Sequence, residues 1–223
     1  MPEALEFIVT APVVSFRNPF YAGLQVGLPC PPPSTVGGLL AAAAGGWDRV
    51  PFRTRFAMTF QAAGTGTDLE TYHPLASPGT AANVTIKDRD FLANVTLTVW
   101  LTEDIDLWSR ALRRPVWPLR LGRSQDLVAG AARRVKLAAS PGTQGHAIVP
   151  GDVPQSIGTV MRLTTAISLD RARFQWDTYR YAATGAPRTR IHTGLATEQG
   201  QAVALLPPVH PSRLPAGPAG RPA

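Results

Sequence analysis

The stretch LEFIVTAPVVSFRNPFY at residues 5–21, followed by PPPSTVGGLLAAAAGG at residues 31–46, sets how the chain begins to fold. Apolar residues recur at every second position of the first stretch and predict a strand over residues 5–16, one face of which carries Leu5, Phe7, Val9 and Ala11. Three consecutive prolines then hold the backbone extended, because proline fixes φ and restricts the residue before it. The alanine-rich run that follows predicts a helix, which the glycine pair at 45–46 ends.

The start of this helix is a candidate anion site. The hydroxyls of Ser34 and Thr35 are predicted to accept hydrogen bonds from the unpaired N–H groups of the first turn. The free N–H groups and the helix dipole both favour negative charge there. Polar residues upstream would complete a cradle for a phosphate or a nucleotide: Arg17, Asn18, Tyr21 and Gln25. A helix start of this composition also occurs where it only caps a helix, so both interpretations stay open.

Four further segments extend this beginning into a fold. Alternating apolar residues predict strands at 55–61 and at 91–101, the second of which is the clearest strand in the chain. Residues 104–114 predict a short helix with aspartates at its start and arginines at its end, and residues 126–137 predict another strand. The order strand, helix, strand, strand, helix, strand is the split βαβ pattern of a ferredoxin-like, RRM-like (βαββαβ) fold. The predicted class is therefore α+β.

Composition divides the chain into three parts. Residues 1–139 hold the predicted ferredoxin-like domain, within which residues 62–90 form a long excursion rich in Gly, Pro, Thr and Asp without a clear period. Residues 140–206 predict a small β-rich part. Residues 207–223 are mostly Pro, Ala, Gly and Arg, and a tail of this composition is expected to be disordered.

The β-rich part begins with residues 140–155, whose glycines and prolines predict a linker or loop. Two strands are predicted after it, at 159–169 and at 173–181. The first of them places four apolar residues on one face: Met161, Leu163, Ile167 and Leu169.

The charge of the chain favours a polyanionic partner. Lys and Arg number 22 against 15 Asp and Glu, for a net charge of +7 and an isoelectric point near 10.5, which suits nucleic acid. Only Lys87 and Lys136 are lysines; the arginine bias suits phosphate contact and equally suits a GC-rich genome. One cysteine excludes an internal disulfide, and no run of about 18 apolar residues predicts a membrane span. We expect a cytoplasmic protein without a signal peptide.

Four short motifs occur in a fixed order in the first half of the chain. They are APVVSFR at 11–17, PFY at 19–21, PPPSTV at 31–36 and PLRLGRS at 118–124. Together they resemble the CRISPR-associated family-five proteins of the RAMP superfamily, and most closely the type I-B branch. The resemblance covers residues 5–137. One position departs from it: Gly37 stands where the family commonly has tyrosine.

This resemblance implies a role in RNA-guided antiviral defence. Family-five proteins cap the five-prime end of the guide RNA in Cascade, the type I effector complex, where they grip the repeat-derived handle, touch the large subunit and abut the backbone subunits. The likeness implies a non-catalytic RNA-binding subunit that uses no cofactor or metal and reaches target DNA only through the complex. It also implies a thumb-like β-hairpin, which we place at residues 62–90 jointly on the likeness and on the excursion. Base pairing reads sequence in such complexes, so the protein need only hold backbone and shape.

Two further groups of residues are candidates for RNA contact. The segment 119–124 offers a glycine for close approach of the main chain, two arginines for phosphates and a hydroxyl donor: Gly122, Arg120, Arg123 and Ser124. Lys87 and Arg89 lie at the base of the excursion, where they would steady phosphates of the handle. Plainer interpretations are open for both groups, namely a turn with solvated arginines and a charged strand edge that resists aggregation.

Two other functions fit parts of the sequence. A metal-independent endoribonuclease that processes precursor CRISPR RNA needs a base, an acid and a cation, which Tyr72, His73 and Lys87 could supply. A scaffold that contacts mainly proteins would use the excursion and the β-rich part as interfaces. The aspartate pairs at 88 and 90 and at 104 and 106 suit turns and helix starts better than metal binding, and Trp108 is expected in the core.

Overall fold

The computed structural model describes residues 2–18, 26–72 and 84–214. These residues form the helices α1 (Pro33–Ala44) and α2 (Ile105–Arg113) and short 3-10 helices at Trp47–Arg49 and Pro211–Arg213. They also form ten strands, which are β1 (Glu3–Val14), β2 (Ala57–Tyr72), β3 (Thr85–Leu101), β4 (Ala129–Ala138), β5 (Gly142–Thr143), β6 (Ala147–Pro150), β7 (Thr159–Ile167), β8 (Phe174–Tyr181), β9 (Arg190–Ile191) and β10 (Ala196–Thr197). In this part of the chain, neither α1 nor α2 has the length and apolar composition to cross a membrane.

Eight of the strands form one sheet in the order β10-β4-β1-β3-β2-β6-β8-β7, and β5 pairs with β9 in a small second sheet. Each pair of neighbouring strands runs antiparallel. The chain is therefore a mixed helix-and-sheet protein with a mainly antiparallel sheet, which confirms the predicted class.

One apolar face of the central strands forms the main core. Phe7 and Val9 of β1 are fully buried and lie opposite Val99 and Leu97 of β3, as the alternation in both strands predicts. The apolar sides of α1 and α2 belong to the same core. Trp108 of α2 is 1% exposed, which confirms its predicted place. Burial of such side chains contributes about 1.5–3 kcal/mol each relative to leaving them in water.

β2 and β3 form a long hairpin. Their pairing runs from Ala57 to Tyr72, whereas β1 pairs with β3 only as far as Leu92. From Phe91 back to Thr85, β3 therefore pairs with β2 alone, within the residues that the structure describes. Residues 62–90 show no clear hydrophobic period in the sequence, yet residues 62–72 and 85–90 form regular paired strands. Most of this part of the hairpin is exposed on both faces, so it lacks the apolar alternation that signals a half-buried strand.

The prediction of a linker or loop at 140–155 is wrong, because this stretch contains β5 and β6. Ala147, Ile148 and Val149 of β6 are at most 1% exposed. β6 pairs with β2 on one side and with β8 on the other, so it connects β7 and β8 to the central sheet. An apolar run of three residues is too short to show a period, and the glycines and prolines around it are typical of loops.

The two strands predicted after this stretch are confirmed as β7 and β8, but the expected face of β7 is only partly right. Its pairing with β8 shifts register between Thr164 and Ala166. A bulge of this kind changes which face the following side chains take. Leu169, predicted on the same face as Leu163, lies beyond the end of β7 and is 74% exposed, whereas Leu163 is fully buried.

The predicted disorder of residues 207–223 is wrong for residues 207–214, while residues 215–223 lie outside the described part of the chain. Val209 is 1% exposed, and His210 donates from Nε2 to the carbonyl oxygen of Trp47 at 2.9 Å. The segment packs over Gly37, where an added Cβ would lie 2.8 Å from Cγ2 of Val209. Composition suggested a free tail, but a long-range fit between Val209 and a helical glycine orders it.

Gly37 and Gly38 offer a matched test of this packing, because a Cβ at Gly38 would meet no atom within 4 Å. We expect Gly37→Ala to lower the free energy of unfolding by about 1–2 kcal/mol, since overpacking against Val209 outweighs the gain in helix propensity. Gly38→Ala should raise it by about 0.5–1 kcal/mol. Chemical denaturation of both variants measures the difference, and equal stabilities would contradict the packing of Val209 on α1.

Candidate functional site

A cavity of about 230 Å3 opens where four separate parts of the chain meet. These parts are the end of β1, the start of α1, the base of the β2–β3 hairpin and the loop between α2 and β4. Three arginines line the cavity, namely Arg17, Arg89 and Arg123, together with Thr35 and Gly122. Among the described residues, no acidic side chain lines it. We call this cavity the arginine pocket.

The loop between α2 and β4 is fixed by the buried carboxylate of Asp126, whose side chain is 3% exposed. Its Oδ2 accepts hydrogen bonds from the main-chain N–H of Ser15 at 3.1 Å and of Arg123 at 3.0 Å. Its Oδ1 accepts from Nε of Arg123 at 3.0 Å. One carboxylate thus ties the loop to the end of β1 and orients the Arg123 guanidinium. Sequence reasoning missed this role, although the spacing of Arg123 and Asp126 by three residues was a signal for it.

Gly122 has a structural role that differs from the predicted one. Its φ is +105°, and an added Cβ would lie 2.6 Å from the carbonyl oxygen of Ser15. The absence of a side chain therefore allows the loop to approach the main chain of β1 closely. Gly122 was predicted to admit a close approach of RNA; it lines the arginine pocket, but its main-chain neighbour is the protein itself.

Arg89 reaches the pocket from the hairpin, where its side chain forms an ion pair with Glu70. Burial lowers the pKa of Arg89, and the positive charges of Arg123 and Arg17 lower it further, while Asp126 opposes them. The positive charges of Arg123 and Arg17 therefore act on the guanidinium of Arg89. An anion in the pocket would be attracted by all three arginines.

The predicted capping by Ser34 and Thr35 is wrong. The N-cap is Pro32, and no side chain caps the helix. Pro33 has no N–H, and the N–H groups of Thr35 and Val36 both donate to the carbonyl oxygen of Pro32. A side chain at the third helical position caps by accepting from the N-cap N–H, which a proline lacks. The positive character of the pocket therefore comes from the arginines more than from free helix amides.

The hydroxyls of the helix start have other partners and positions. Ser34 Oγ lies 2.7 Å from Oγ1 of Thr164 on β7. Thr35 lines the arginine pocket and also a larger neighbouring groove of about 660 Å3. We call this groove the side groove; it lies between α1, the turn joining β7 to β8 and Val209, and Arg120 also lines it.

The remaining residues predicted for RNA contact are more scattered. The main-chain N–H of Asn18 donates to the carbonyl oxygen of Val26 at 2.9 Å. Tyr21 and Gln25 themselves lie outside the described residues. Ser124 and Lys87 line neither the arginine pocket nor the side groove. In the hairpin, Lys87 lies opposite Glu70.

The residues proposed for nuclease chemistry cannot be placed together, since His73 and the side chain of Tyr72 lie outside the described part of the chain. In that described part, no group of His, Cys, Asp and Glu side chains is arranged to hold a metal ion. Asp88 and Asp90 lie within β3, so the prediction that they occupy a turn is wrong. The carboxylate of Asp90 accepts from the main-chain N–H of Gly27 at 3.2 Å and from the Thr67 hydroxyl at 3.2 Å.

The protein family described as "CRISPR-associated protein (Cas_Cas5)" matches residues 4–194 of the chain. This match agrees with the family that the four sequence motifs resemble. None of the curated proteins compared with the chain matches it significantly.

Three solved structures are similar to the chain, and the first of them shares its fold. A chain described as "CRISPR RNA-guided surveillance complex" is 21% identical, with a TM-score of 0.52 over 82% of this chain and 91% of that one. A "Crystal structure of Cas protein" is 18% identical, with a TM-score of 0.46 over 83% and 95% of the two chains. A CRISPR protein from Archaeoglobus fulgidus is 14% identical, with a TM-score of 0.46 over 91% and 99%.

Asp126 and Asp106 form a matched pair for testing how the pocket is held. Asp106 pairs with Arg134 at the surface, and its side chain is 77% exposed. We expect Asp126→Ala to lower the free energy of unfolding by about 3 kcal/mol, because it leaves a buried amide and a guanidinium without their acceptor. Asp106→Ala should cost at most about 1 kcal/mol. Thermal and chemical denaturation compare them, and similar losses would contradict the anchoring role of Asp126.

Proposed function

Because the chain belongs to the CRISPR-associated protein family Cas_Cas5, we propose that it is a non-catalytic subunit of a type I CRISPR effector and binds the five-prime handle of the guide RNA. In this proposal it belongs to the type I-B branch and acts in the cytoplasm. It caps the filament of backbone subunits, contacts the large subunit and reaches target DNA only through the complex.

The convergence of residues in the arginine pocket supports the RNA contact. Sequence reasoning selected Arg17, Thr35, Arg89 and Arg123 from distant segments, and all four line one cavity. A guanidinium donates in a planar fork that matches the oxygens of a phosphate. Asp126 and Glu70 fix two of these guanidinium groups in advance, so less side-chain freedom is lost when an anion binds.

The strand order supports a ferredoxin-like unit. Strands β4, β1, β3 and β2 are neighbours in that order, and α1 and α2 follow β1 and β3 along the chain, as in a βαββαβ unit. We assign the far part of the β2–β3 hairpin to the thumb-like element. Arg89 then lies at the base of this element, beside the pocket. The division of the chain at residue 139 into this unit and a β-rich part of residues 140–206 remains part of the proposal.

The open face of the sheet is a less suitable RNA platform than the pocket. RRM-type sheets bind by stacking bases on exposed aromatic residues. Here Trp100 of β3, on the face opposite the main core, is buried and donates from Nε1 to Glu6 at 3.1 Å. The strongly exposed Phe and Trp residues of the described chain lie outside β1–β4: Phe52, Trp117 and Phe174. We therefore place the RNA backbone at the edge where α1 begins.

Arg17 allows a clean test, because it is exposed at the pocket and its removal disturbs no buried ion pair among the residues that the structure describes. We expect Arg17→Gln to weaken binding to guide RNA about tenfold, as loss of a charged hydrogen bond to phosphate predicts. It should also reduce the slope of log affinity against log salt by about 0.7, the share of one single-strand phosphate. Fluorescence anisotropy over a salt series, with the chain alone and with partner subunits, measures both quantities.

The control is Arg53→Gln, which removes the same charge from an exposed residue that lines neither cavity. It should change affinity by less than about twofold. RNAs with an altered handle should bind more weakly than the intact guide. Equal affinity for intact and altered handles would contradict the handle assignment. Equal losses of RNA affinity in Arg17→Gln and Arg53→Gln would contradict the assignment of RNA to the arginine pocket.

The proposal also predicts that precursor CRISPR RNA stays intact in the presence of the protein and a chelator. Cleavage needs a general base and a general acid around the scissile phosphate. The described residues of the arginine pocket supply cations and hydroxyls but no histidine or carboxylate. Denaturing gels of repeat RNA provide the readout. Cleavage that disappears in His73→Ala would overturn the non-catalytic assignment.

A further inference from the structure

The side groove adjoins the arginine pocket. The two cavities share Thr35 and Gly122 in their linings. The groove has a volume of about 660 Å3, which lies within the range of about 300–1,000 Å3 that ligand sites occupy. A strand of RNA whose backbone lies in the arginine pocket would therefore have its next nucleotide beside the groove.

The polar lining of the groove is positive. Arg120 and Arg171 are exposed and line it, while none of the described acidic side chains does. The nearby carboxylate of Asp170 is held within its own turn, where it accepts from the hydroxyl of Ser168 and from the N–H of Ala172. These hydrogen bonds stabilise the turn on which Arg171 lies. Charge therefore favours an anionic occupant.

The apolar lining of the groove includes an accessible aromatic ring. Phe174 is 44% exposed at the start of β8, and its ring lies 6.2 Å from that of Trp176. Leu39 of α1 and Val209 are buried residues that close the groove on its inner side. An aromatic surface next to arginines is the combination that binds unpaired bases of single-stranded RNA, because every base has a face that can stack.

We propose that the side groove binds one unstacked nucleotide of the same RNA, with its base against Phe174 and with Arg120 and Arg171 pairing the flanking phosphates. This inference rests on the proposed function, since it assumes that RNA enters by the arginine pocket. The adjacency of the two cavities and their positive lining favour RNA over an apolar peptide of a partner subunit, which would gain nothing from the arginines.

An abasic scan of the guide RNA tests this inference. In each RNA of the series, one nucleotide of the five-prime handle lacks its base, and affinity is measured by fluorescence anisotropy. With the unmodified protein, we expect one position at which loss of the base weakens binding roughly tenfold. With Phe174→Ala, intact RNA should bind roughly tenfold more weakly and that position should lose its effect, because the two changes remove the same contact.

Two control variants define the contact. Phe174→Tyr keeps the aromatic face and should keep the effect of the abasic position. Phe52→Ala removes a more exposed ring, 59% accessible, that does not line the groove, and it should also leave the effect unchanged. Thermal melting of each variant checks the fold.

A flat abasic scan, or an abasic effect that persists unchanged in Phe174→Ala, would overturn the inference. If Arg17→Gln still weakens binding in that case, the proposed function stands and only the groove assignment fails. If neither Arg17→Gln nor Phe174→Ala changes RNA affinity, both fail. Loss of complex assembly in Phe174→Ala at unchanged RNA affinity would assign the groove to a protein partner instead.

Discussion

The carboxylate of Asp126 is the interaction on which the shape of the arginine pocket depends. It accepts main-chain hydrogen bonds from Ser15 and Arg123, which are far apart in sequence, and holds the guanidinium of Arg123 as well. A buried carboxylate is costly unless it is paired and hydrogen-bonded, and here both carboxylate oxygens of Asp126 accept hydrogen bonds. The loop after α2 therefore cannot move away from the end of β1 without leaving the buried main-chain N–H of Ser15 without its acceptor.

The pocket combines negative groups that organise it with an interior that stays positive. Asp126 pairs with Arg123 and Glu70 pairs with Arg89, and neither carboxylate is part of the cavity lining. A guanidinium has five N–H donors, so one carboxylate partner does not use all of them. The arginines can thus be fixed by the protein and still bind phosphate, which favours affinity through preorganisation.

Sequence patterns predicted the parts of the fold in which burial has a period. β1, β3 and α2 were predicted because one face of each enters the core. The same patterns missed β6, whose buried run is too short for a period, and the ordering of residues 207–214, which depends on the space above Gly37. Both are long-range fits that local composition does not express.

The residues of the candidate site likewise fall into those that the sequence predicted and those that only the fold reveals. Arginines and glycine could be selected from the sequence because the residue type alone indicates phosphate contact or a tight approach of the main chain. Four residues selected in this way do share one cavity: Arg17, Arg89, Gly122 and Arg123. Lys87, only two residues before Arg89 on the same strand, lies farther along the hairpin and lines neither cavity. The spacing of Arg123 and Asp126 signals only their own pairing; the contact of Asp126 with Ser15 and the accessible ring of Phe174 depend on the tertiary fold, which no local pattern expresses.

The packing of Val209 over Gly37 has a consequence for the order in which the protein acquires its structure. The His210 contact that accompanies it joins residues 163 positions apart, and contacts of such separation form late because the intervening chain must be ordered first. On the ribosome, α1 and the hairpin can form while residue 209 is still unmade. The inner wall of the side groove is therefore among the last surfaces to be completed, and until Val209 is in place α1 leaves apolar surface exposed to water.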